Sequence, residues 1–313
     1  MTNLNQVKQK MDNLIKKYRV IGDIHGRKNW WDLVNPFDKE TLYIFLGDYT
    51  DPYPFEGVTF DQMVEQIEKM FDFKREHPDN VIILIGNHDL QYIMGKAETN
   101  RYDYSELHRE RLMAIFEDER DSIHGVAYNI GDKYLISHAG VTIDWYTKYC
   151  TKDIEKARQE ELSEIVGKIN KLWSENKESF TFRANAKMSD HSGISSTQSP
   201  LWVRPLTLWY SNFFGHESGK IQVVGHTIFD NEDFGMSSDT CDRVGTIGTV
   251  PNDVEEKHGW ESPIKAVGND PEHVDIIMAD CLRRETACVD IDAETLEWKK
   301  FYIGDTELGI DWD

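Results

Sequence analysis

The stretch NVIILIGNHDLQYIM, residues 80–94, changes from apolar to polar at a single glycine. Residues 80–85 are rich in β-branched side chains and predict a buried strand. Asn87, His88 and Asp89 follow directly, although a hydrophobic core has no use for three polar side chains in a row. Taken alone, the pattern fits a turn that happens to carry a histidine as well as a strand whose end opens into a site, and the rest of the sequence decides between them.

Four further predicted strands end in a similar polar cluster. Each cluster places a glycine close to an aspartate or a histidine: GDIHG (22–26), GDYTD (47–51), SHAG (137–140) and GHT (225–227). The carboxyl ends of strands in an open α/β sheet converge on one edge, where such folds place their sites. We therefore expect six candidate metal ligands to lie together: Asp23, His25, Asp48, Asn87, His138 and His226.

These six side chains offer carboxylate, amide and imidazole donors, which is more than one divalent ion needs. Two ions that share Asp48 fit the number of ligands. Paired ions of this kind clamp the attacking and leaving oxygens of an in-line displacement. Imidazole with carboxylate suits Mn, Fe, Zn or Co better than Ca or Mg. The sequence therefore predicts two divalent ions, with Mn first and Fe, Zn or Co as alternatives.

The order of predicted elements indicates an α/β fold. Strands at 18–21, 41–45 and 80–85 are joined by a helical stripe at 59–77, which is a β-α-β pattern. A hairpin at 126–140 follows. The chain therefore predicts strands packed side by side with helices on their faces.

The second half completes one predicted domain over residues 1–313. A charged helical segment at 151–178 precedes a strand at 220–224, and three strands with a hairpin at 292–293 end the chain. Two regions stand apart from this pattern: an N-terminal helical extension at 1–17 and an irregular loop region at 228–272.

Composition excludes several classes of function. The formal net charge of −21 over 313 residues argues against nucleic acid as a partner, because binding a nucleic-acid backbone requires a positive face. No apolar run reaches the roughly 18 residues that a membrane span needs. The charged N-terminus lacks the apolar region of a secretory signal, and the four cysteines are scattered. We expect a cytoplasmic protein with free thiols and no membrane partner.

The ordered set GDIHG, GDYTD, GNHD, SHAG and GHT resembles the calcineurin-like metallophosphoesterases. It looks most like their phosphoprotein phosphatase branch, which also contains the bacterial symmetrical diadenosine tetraphosphate hydrolases. The resemblance implies a central β-sandwich flanked by helices, with a dinuclear metal site. By motif position, the first metal would be held by Asp23, His25 and Asp48, and the second by Asp48, Asn87, His138 and His226.

The resemblance also assigns two catalytic residues. His88 matches the family's proton donor to the leaving group, and Asp51 matches the acid that orients this histidine. A hydroxide bridging the two cations would attack phosphorus directly in line, and an imidazolium would protonate the departing alkoxide on the other side. The Asp51 carboxylate would raise the pKa of His88, as a general acid near neutral pH requires.

One position departs from the family pattern. Protein phosphatases of this branch usually read GDYVDRG, and their arginine grips the phosphate, but this chain has Pro52 at that place. Another cation would then contact the substrate. Arg204 in SPLWVRP is the first candidate and Arg101 in TNRYDY the second. Asn87 is assigned to both metal and substrate.

Four aromatic residues are candidates for a wall that contacts a base or a peptide side chain: Tyr53, Phe55, Trp202 and Trp209.

The leading hypothesis is a cytoplasmic, two-metal phosphoesterase that hydrolyses phosphomonoesters, with a Ser/Thr phosphoprotein as nominal substrate. A second enzymatic hypothesis is a dinucleoside polyphosphate hydrolase. The GNHDL of this chain is closer to the form of the motif in that group than to the GNHE of the protein phosphatases. The partner would thus be a phosphoprotein or a small phosphoester or nucleotide. A third hypothesis is a non-catalytic metal-binding scaffold of the same fold, which only Pro52 supports.

Overall fold

The computed structural model describes residues 14–98, 106–186, 193–215, 218–227, 265–270, 273–280, 282 and 286–303. The described strands, in chain order, are β1 (Lys17–Ile21), β2 (Thr41–Phe45), β3 (Val81–Ile83), β4 (Ala127–Ile130), β5 (Tyr134–Ser137), β6 (Ile221–Val224), β7 (Lys265–Asp270), β8 (His273–Met278), β9 (Ala287–Asp292) and β10 (Trp298–Tyr302).

The strands form two sheets of five strands each. The first sheet has the order β10-β9-β1-β2-β3, and β1, β2 and β3 are parallel. The second sheet has the order β4-β5-β6-β8-β7, and β5, β6 and β8 are parallel. Parallel strands end at the same edge of their sheet, so each sheet offers one edge at which several polar clusters can meet.

The α-helices of the described residues lie between and after these strands: α1 (Phe60–Glu76), α2 (Asn87–Met94), α3 (Glu106–Asp118), α4 (Ile143–Tyr149), α5 (Ile154–Gln159), α6 (Leu162–Glu175), α7 (Phe182–Asn185) and α8 (Pro205–Ser211). Short 3-10 helices occur at Asn29–Leu33, Pro54–Glu56 and Lys177–Phe180. None of the helices in this described part of the chain has the length and apolar character needed to cross a membrane.

Strand β2 shows how the layers are built. Leu42 and Ile44 belong to a buried cluster that includes residues of the second sheet, so this face packs sheet on sheet. Tyr43 and Phe45 belong to the cluster that contains the apolar face of α1, so the other face packs on helices. Strands that are buried on both faces read as continuous apolar runs, as TLYIF does. The predicted α/β fold, a central β-sandwich flanked by helices, is confirmed.

The predicted helix at 59–77 is confirmed as α1. Thr59 caps it: its side chain accepts a hydrogen bond from the backbone of Gln62, whose own side chain accepts from the backbone of Thr59. This reciprocal capping box satisfies two backbone donors that the first turn would otherwise leave unpaired.

Three features differ from the sequence predictions. The helical segment predicted at 151–178 is divided, because Glu160 leaves the helical conformation and its buried carboxylate binds Tyr146 and Lys168. The three strands predicted at the end of the chain are present as β8, β9 and β10, and β9 pairs with β10 as the predicted hairpin, but β8 pairs with β6 in the second sheet. Strand β7 lies at 265–270, within the region predicted to be irregular.

Two other predictions concern parts of the chain that fall outside the described residues. These are residues 1–13 of the predicted N-terminal helical extension, and residues 228–264 and 271–272 of the predicted loop region.

Candidate metal centre

The structure brings all six predicted ligands together at the carboxyl ends of five strands. Asp23 and His25 follow β1, Asp48 follows β2 and Asn87 follows β3, all in the first sheet; His138 follows β5 and His226 follows β6 in the second. Ligand atoms of the aspartates and histidines fall into two groups, within each of which the atoms lie within 4.8 Å of one another. Their role as metal ligands stays a prediction.

The first ligand group contains Asp23, His25 and Asp48. The Nε2 atom of His25 lies 3.6 Å from Oδ2 of Asp48. All three side chains are buried. The Nδ1 atom of His25 is hydrogen-bonded to the carbonyl of Thr50 at 2.7 Å, which assigns the proton to Nδ1 and leaves Nε2 directed at Asp48 as a donor for a cation.

The second ligand group contains Asp48, His138 and His226. Oδ2 of Asp48 lies 3.4 Å from Nε2 of His138, so the same carboxylate serves both groups. Oδ1 of Asn87 lies 2.9 Å from Nε2 of His138 and 2.8 Å from Nδ1 of His226. The Asn87 amide therefore joins the two imidazoles of this group.

The donor set fits divalent ions. A carboxylate shared between two groups of oxygen and nitrogen donors matches the chemistry of Mn, Fe, Zn or Co. Within the described residues, Nε2 of His226 is a buried nitrogen with no hydrogen-bond partner, and a buried polar atom left without a partner is costly. Cations bound at these groups would remove that cost.

The charges of the centre also favour a bound cation. Burial raises the pKa of Asp23 well above its usual range, and the Asp280 and Asp48 carboxylates raise it further. Burial lowers the pKa of His25 to about 3 and holds that of His226 well below its usual value. Carboxylates crowded beside neutral imidazoles favour a bound cation, because neutral histidine is the form that ligates metal.

The backbone at the centre adopts a conformation that side chains rarely occupy. His25, Asp48, Asp51 and His226 have φ values of 45°, 54°, 56° and 64°. A left-handed backbone outside glycine costs on the order of 1–3 kcal/mol and is typical of functional sites. The turns after β1, β2 and β6 therefore direct their polar side chains into the centre, and the backbone of these turns is strained as a result.

Glycine makes two of the close approaches possible. A Cβ atom at Gly86 would lie 2.1 Å from Oδ1 of Asp48, and one at Gly225 would lie 2.3 Å from Oδ1 of Asp23. Any larger residue at either position would displace a predicted ligand. The glycines beside the ligands therefore keep space for the carboxylates, as their place in the motifs predicts.

Asp89 supports the centre through hydrogen bonds to its backbone, a role that the sequence did not indicate. Its carboxylate accepts hydrogen bonds from the backbone N–H groups of Asp48, Tyr49 and Gly86 at 2.7, 2.9 and 3.0 Å. These bonds join the turn after β2 to the start of α2. Burial, together with the Asp48 carboxylate, raises the pKa of Asp89 to about 7.

Asp280 and Arg27 are two more buried charges that sequence analysis missed. Asp280 follows β8 and is 4% exposed, and burial raises its pKa to about 6. Arg27 donates from Nη1 to the carbonyl of Asp23 at 3.1 Å. The only signal in the sequence was a charged residue next to a strand end or a motif, which does not reveal that the two charges lie close enough to interact.

The predicted catalytic pair is in contact. Nδ1 of His88 lies 3.0 Å from Oδ2 of Asp51, and Asp51 also accepts hydrogen bonds from Gln91 and Tyr92 of α2. Burial lowers the pKa of His88, but the Asp48 and Asp51 carboxylates outweigh burial and raise it overall. The His88 ring lies 5.1 Å from that of His25, so the pair borders the first ligand group.

Of the two arginines predicted to contact the substrate, only one lies within the described residues. Arg204 lies beside the second ligand group, because Nη1 donates to Oγ1 of Thr227 at 3.1 Å and the guanidinium contributes to the lowered pKa of His226. Arg101 falls outside the described residues.

The predicted aromatic wall is divided. Tyr53 packs edge-on against His25 at 5.4 Å, and its ring stacks on that of Phe55. Trp202 packs edge-on against His226 at 6.2 Å. Trp209 contacts Tyr210 and packs against the buried cluster under α8. Tyr53 therefore borders the first ligand group, and Trp202 borders the second.

Comparison with known proteins assigns the chain to a family. The calcineurin-like phosphoesterase family model matches residues 16–229. The serine/threonine-protein phosphatase PP1-delta of Caenorhabditis elegans is 34% identical over 131 residues, which is 39% of this chain and 39% of that protein. Human serine/threonine-protein phosphatase 5 is 30% identical over 176 residues, 51% of this chain and 32% of that protein. The alignments thus span less than half of either relative's length.

A solved structure of a serine/threonine phosphatase from Saccharomyces cerevisiae, described as similar to human phosphatase PP5, has a TM-score of 0.38 and 17% identity over 72% of this chain and 70% of that one. The assignment to a family rests on the family model, because its match covers more than half of this chain and contains all six predicted ligands. The protein therefore belongs to the calcineurin-like phosphoesterase family.

Proposed function

We propose that this protein is a metal-dependent phosphatase that hydrolyses phosphomonoesters, with a Ser/Thr phosphoprotein as its nominal substrate. One observation carries the proposal: two ligand groups share Asp48, and the His88–Asp51 pair borders them. The similarity to serine/threonine phosphatases supports the same reaction class.

The proposed centre takes two divalent ions, Mn first, with Fe, Zn or Co as alternatives. Asp23, His25 and Asp48 would hold the first, and Asp48, Asn87, His138 and His226 the second. When bound, such ions activate water at neutral pH and offset the negative charge of a phosphate group.

His88 would hold the proton that the leaving oxygen needs. The Asp51 carboxylate fixes the ring through Nδ1 at 3.0 Å, so Nε2 is the atom that would deliver the proton. The Asp48 and Asp51 carboxylates raise the pKa of His88 above its usual value, which favours the protonated form that a general acid requires. Gln91 and Tyr92 hold Asp51 in place, so the pair is oriented before substrate arrives.

Arg204 would contact the substrate phosphate from the side of the second ligand group, together with Asn87. It begins α8 and lies close enough to His226 to affect the pKa of this histidine. A guanidinium there would offset charge that Pro52 cannot. We further propose that the protein acts on a phosphorylated partner in the cytoplasm.

The test is hydrolysis of p-nitrophenyl phosphate by purified protein of known metal content. Activity should disappear when a chelator removes the metal and return when Mn is added. A metal-loaded protein that does not hydrolyse this ester would contradict the proposal and favour the non-catalytic scaffold.

A second comparison tests the substrate class. A phosphoserine peptide and diadenosine tetraphosphate are offered at equal concentration to the metal-loaded protein. Faster hydrolysis of the peptide, expressed as kcat/KM, supports the protein phosphatase assignment. Faster hydrolysis of the dinucleotide would replace it with the dinucleoside polyphosphate hydrolase.

A further inference from the structure

The loop at residues 51–59 occupies the place where the family's arginine would stand. Tyr53 precedes its 3-10 helix, Pro54–Glu56. The rings of Tyr53 and Phe55 are stacked, with centroids 5.4 Å apart and planes inclined by 28°. Phe55 is 68% exposed. The loop therefore presents an aromatic face, the Tyr53–Phe55 stack, in place of a cation.

Arg27 fixes this loop to the metal centre. Its Nε and Nη2 atoms donate to the Glu56 carboxylate at 3.1 and 2.9 Å, and Nη1 donates to the carbonyl of Asp23 at 3.1 Å. The guanidinium also lies 5.8 Å from the Tyr53 ring centroid. Arg27 and Glu56 are 8% and 15% exposed. The stack is thus tied to the backbone of a predicted ligand by a shielded ion pair.

The His25 ring contacts both the stack and His88, the residue from which the proton would come. The Tyr53 ring is 5.4 Å from that of His25, which is 5.1 Å from that of His88. The leaving oxygen must approach His88 to receive a proton. The group attached to that oxygen would therefore lie beside the loop at residues 51–59.

The chemistry of the loop selects a neutral, planar group. The segment DPYPFEGVT, residues 51–59, contains no lysine or arginine, and the guanidinium of Arg27 is bound to Glu56. The loop is therefore poorly suited to a second phosphate. Aromatic faces instead favour another ring in an offset-stacked or edge-to-face arrangement.

We propose that the Tyr53–Phe55 stack binds a planar aromatic ring in the alcohol part of the phosphomonoester substrate, and that Arg27 and Glu56 position this stack. The proposal rests on the proposed phosphomonoesterase reaction, because it places the leaving group beside His88, and it would replace the Ser/Thr phosphoprotein, whose alcohol carries no ring, with an aromatic ester as the preferred substrate. The ring belongs to a nucleobase one sugar away from the phosphate or to an aryl group close to the ester oxygen.

Two matched pairs of substrates test the proposal and separate the two sources of the ring. Adenosine 5′-monophosphate and ribose 5-phosphate share the same ester and differ in the base. Benzyl phosphate and cyclohexylmethyl phosphate share a primary alcohol and differ in the aromaticity of the ring. We expect the aromatic member of at least one pair to be preferred by about 5- to 100-fold in kcat/KM, as stacking on one aromatic platform provides.

Variants assign that preference to the stack. Tyr53→Leu and Phe55→Leu should remove most of the preference by raising KM for the aromatic substrate. Tyr53→Phe keeps the ring and should keep the preference. Glu56→Gln should weaken it partly, because Arg27 loses its ion pair. Phe37→Leu is the control, since Phe37 is an aromatic residue 90% exposed and outside this loop.

A binding measurement keeps this test independent of turnover. Calorimetric titration of the metal-loaded protein with the same four esters should give the same ratio of affinities. If p-nitrophenyl phosphate is not hydrolysed, the proposed function fails, but the ratio of affinities still decides the role of the stack. Equal affinity within both pairs, or a preference that survives Tyr53→Leu together with Phe55→Leu, would overturn the proposal.

Discussion

The two ligand groups share Asp48 but are built by different parts of the chain. Asp23, His25 and Asp48 follow the neighbouring parallel strands β1 and β2, so two paired strands joined through the 3-10 helix Asn29–Leu33 carry the first group. His138 and His226 follow strands of the second sheet, so the second group needs both sheets in contact. The backbone N–H of His226 bonds to Asp23 across 203 residues. The first group is built by segments that are close in sequence, whereas the second group forms only when the two sheets pack against each other.

The largest effect should come from Asp48→Asn, which breaks both groups at once. We expect metal content to fall in both sites and kcat/KM for p-nitrophenyl phosphate to fall by more than about 10³-fold, since metal-ion catalysis is worth several kcal/mol. Elemental analysis and steady-state kinetics measure the two effects. Asp121→Asn, at a side chain 99% exposed, is the matched control.

The variant His138→Ala sharpens the contrast, because only the second group contains this residue. It should retain about one metal ion per chain under conditions in which Asp48→Asn retains neither. If the two variants lose the same amount of metal, Asp48 is not shared between two separate ions.

The variant His88→Ala should leave both groups intact. We expect full metal content and a rate about 10²–10⁴-fold lower, the usual contribution of general acid catalysis. The pKa of His88 is raised, so the protonated form is present below that pKa and is lost as pH rises through it. The wild-type rate should accordingly decline on the alkaline side, and the variant should lack that decline.

Leaving groups provide the check for His88. The rate loss should be greatest for alkyl phosphates and smallest for p-nitrophenyl phosphate, whose leaving group needs little protonation. An equal loss for all leaving groups would contradict the general-acid role.

The variant Asp89→Asn tests the support of the first group. An amide cannot accept all three backbone hydrogen bonds in the way that the carboxylate does. We expect a reduction of about 10- to 100-fold in metal affinity or activity, which is typical when outer contacts of a metal site are lost. A metal titration would measure weaker binding, and a circular dichroism spectrum of the same variant would detect unfolding. Unchanged metal affinity would show that Asp89 supports only the fold.

The smallest effect should come from Arg204→Ala, beside the second group. Loss of a charge-assisted contact to the substrate phosphate should raise KM by about 10-fold with metal content unchanged. Arg204→Lys should recover part of this loss, because lysine keeps the charge but not the forked geometry of arginine. A fall in kcat at constant KM would argue against phosphate binding in the ground state.

The sequence predicted the parts of the centre that lie at strand ends. Glycine next to His25, Asp48 or His226 marks a turn after a strand, and strand ends converge by the geometry of the sheet. It did not predict that Asp89 accepts three hydrogen bonds, or that Asp280 lies near Asp23. Such contacts depend on how the two sheets pack, and neither periodicity nor spacing encodes packing.

The same limit applies to the fold. Apolar runs such as TLYIF identified strands, since period and composition are local properties. The pairing of β8 with β6 joins segments about 50 residues apart, and the run HVDIIM would read the same beside either sheet. Pairing partners are decided by long-range burial, which one strand's own sequence does not specify.

The left-handed backbone of the ligand residues has a consequence for how this protein can change. Glycine at position 25, 48 or 226 would relieve conformational strain on the order of 1–3 kcal/mol, so the inactive protein could melt at a higher temperature than the active one. Mutation under selection for stability alone would then favour erasing the centre. Histidine and aspartate in these conformations are therefore expected to persist only where the proposed metal chemistry is under selection.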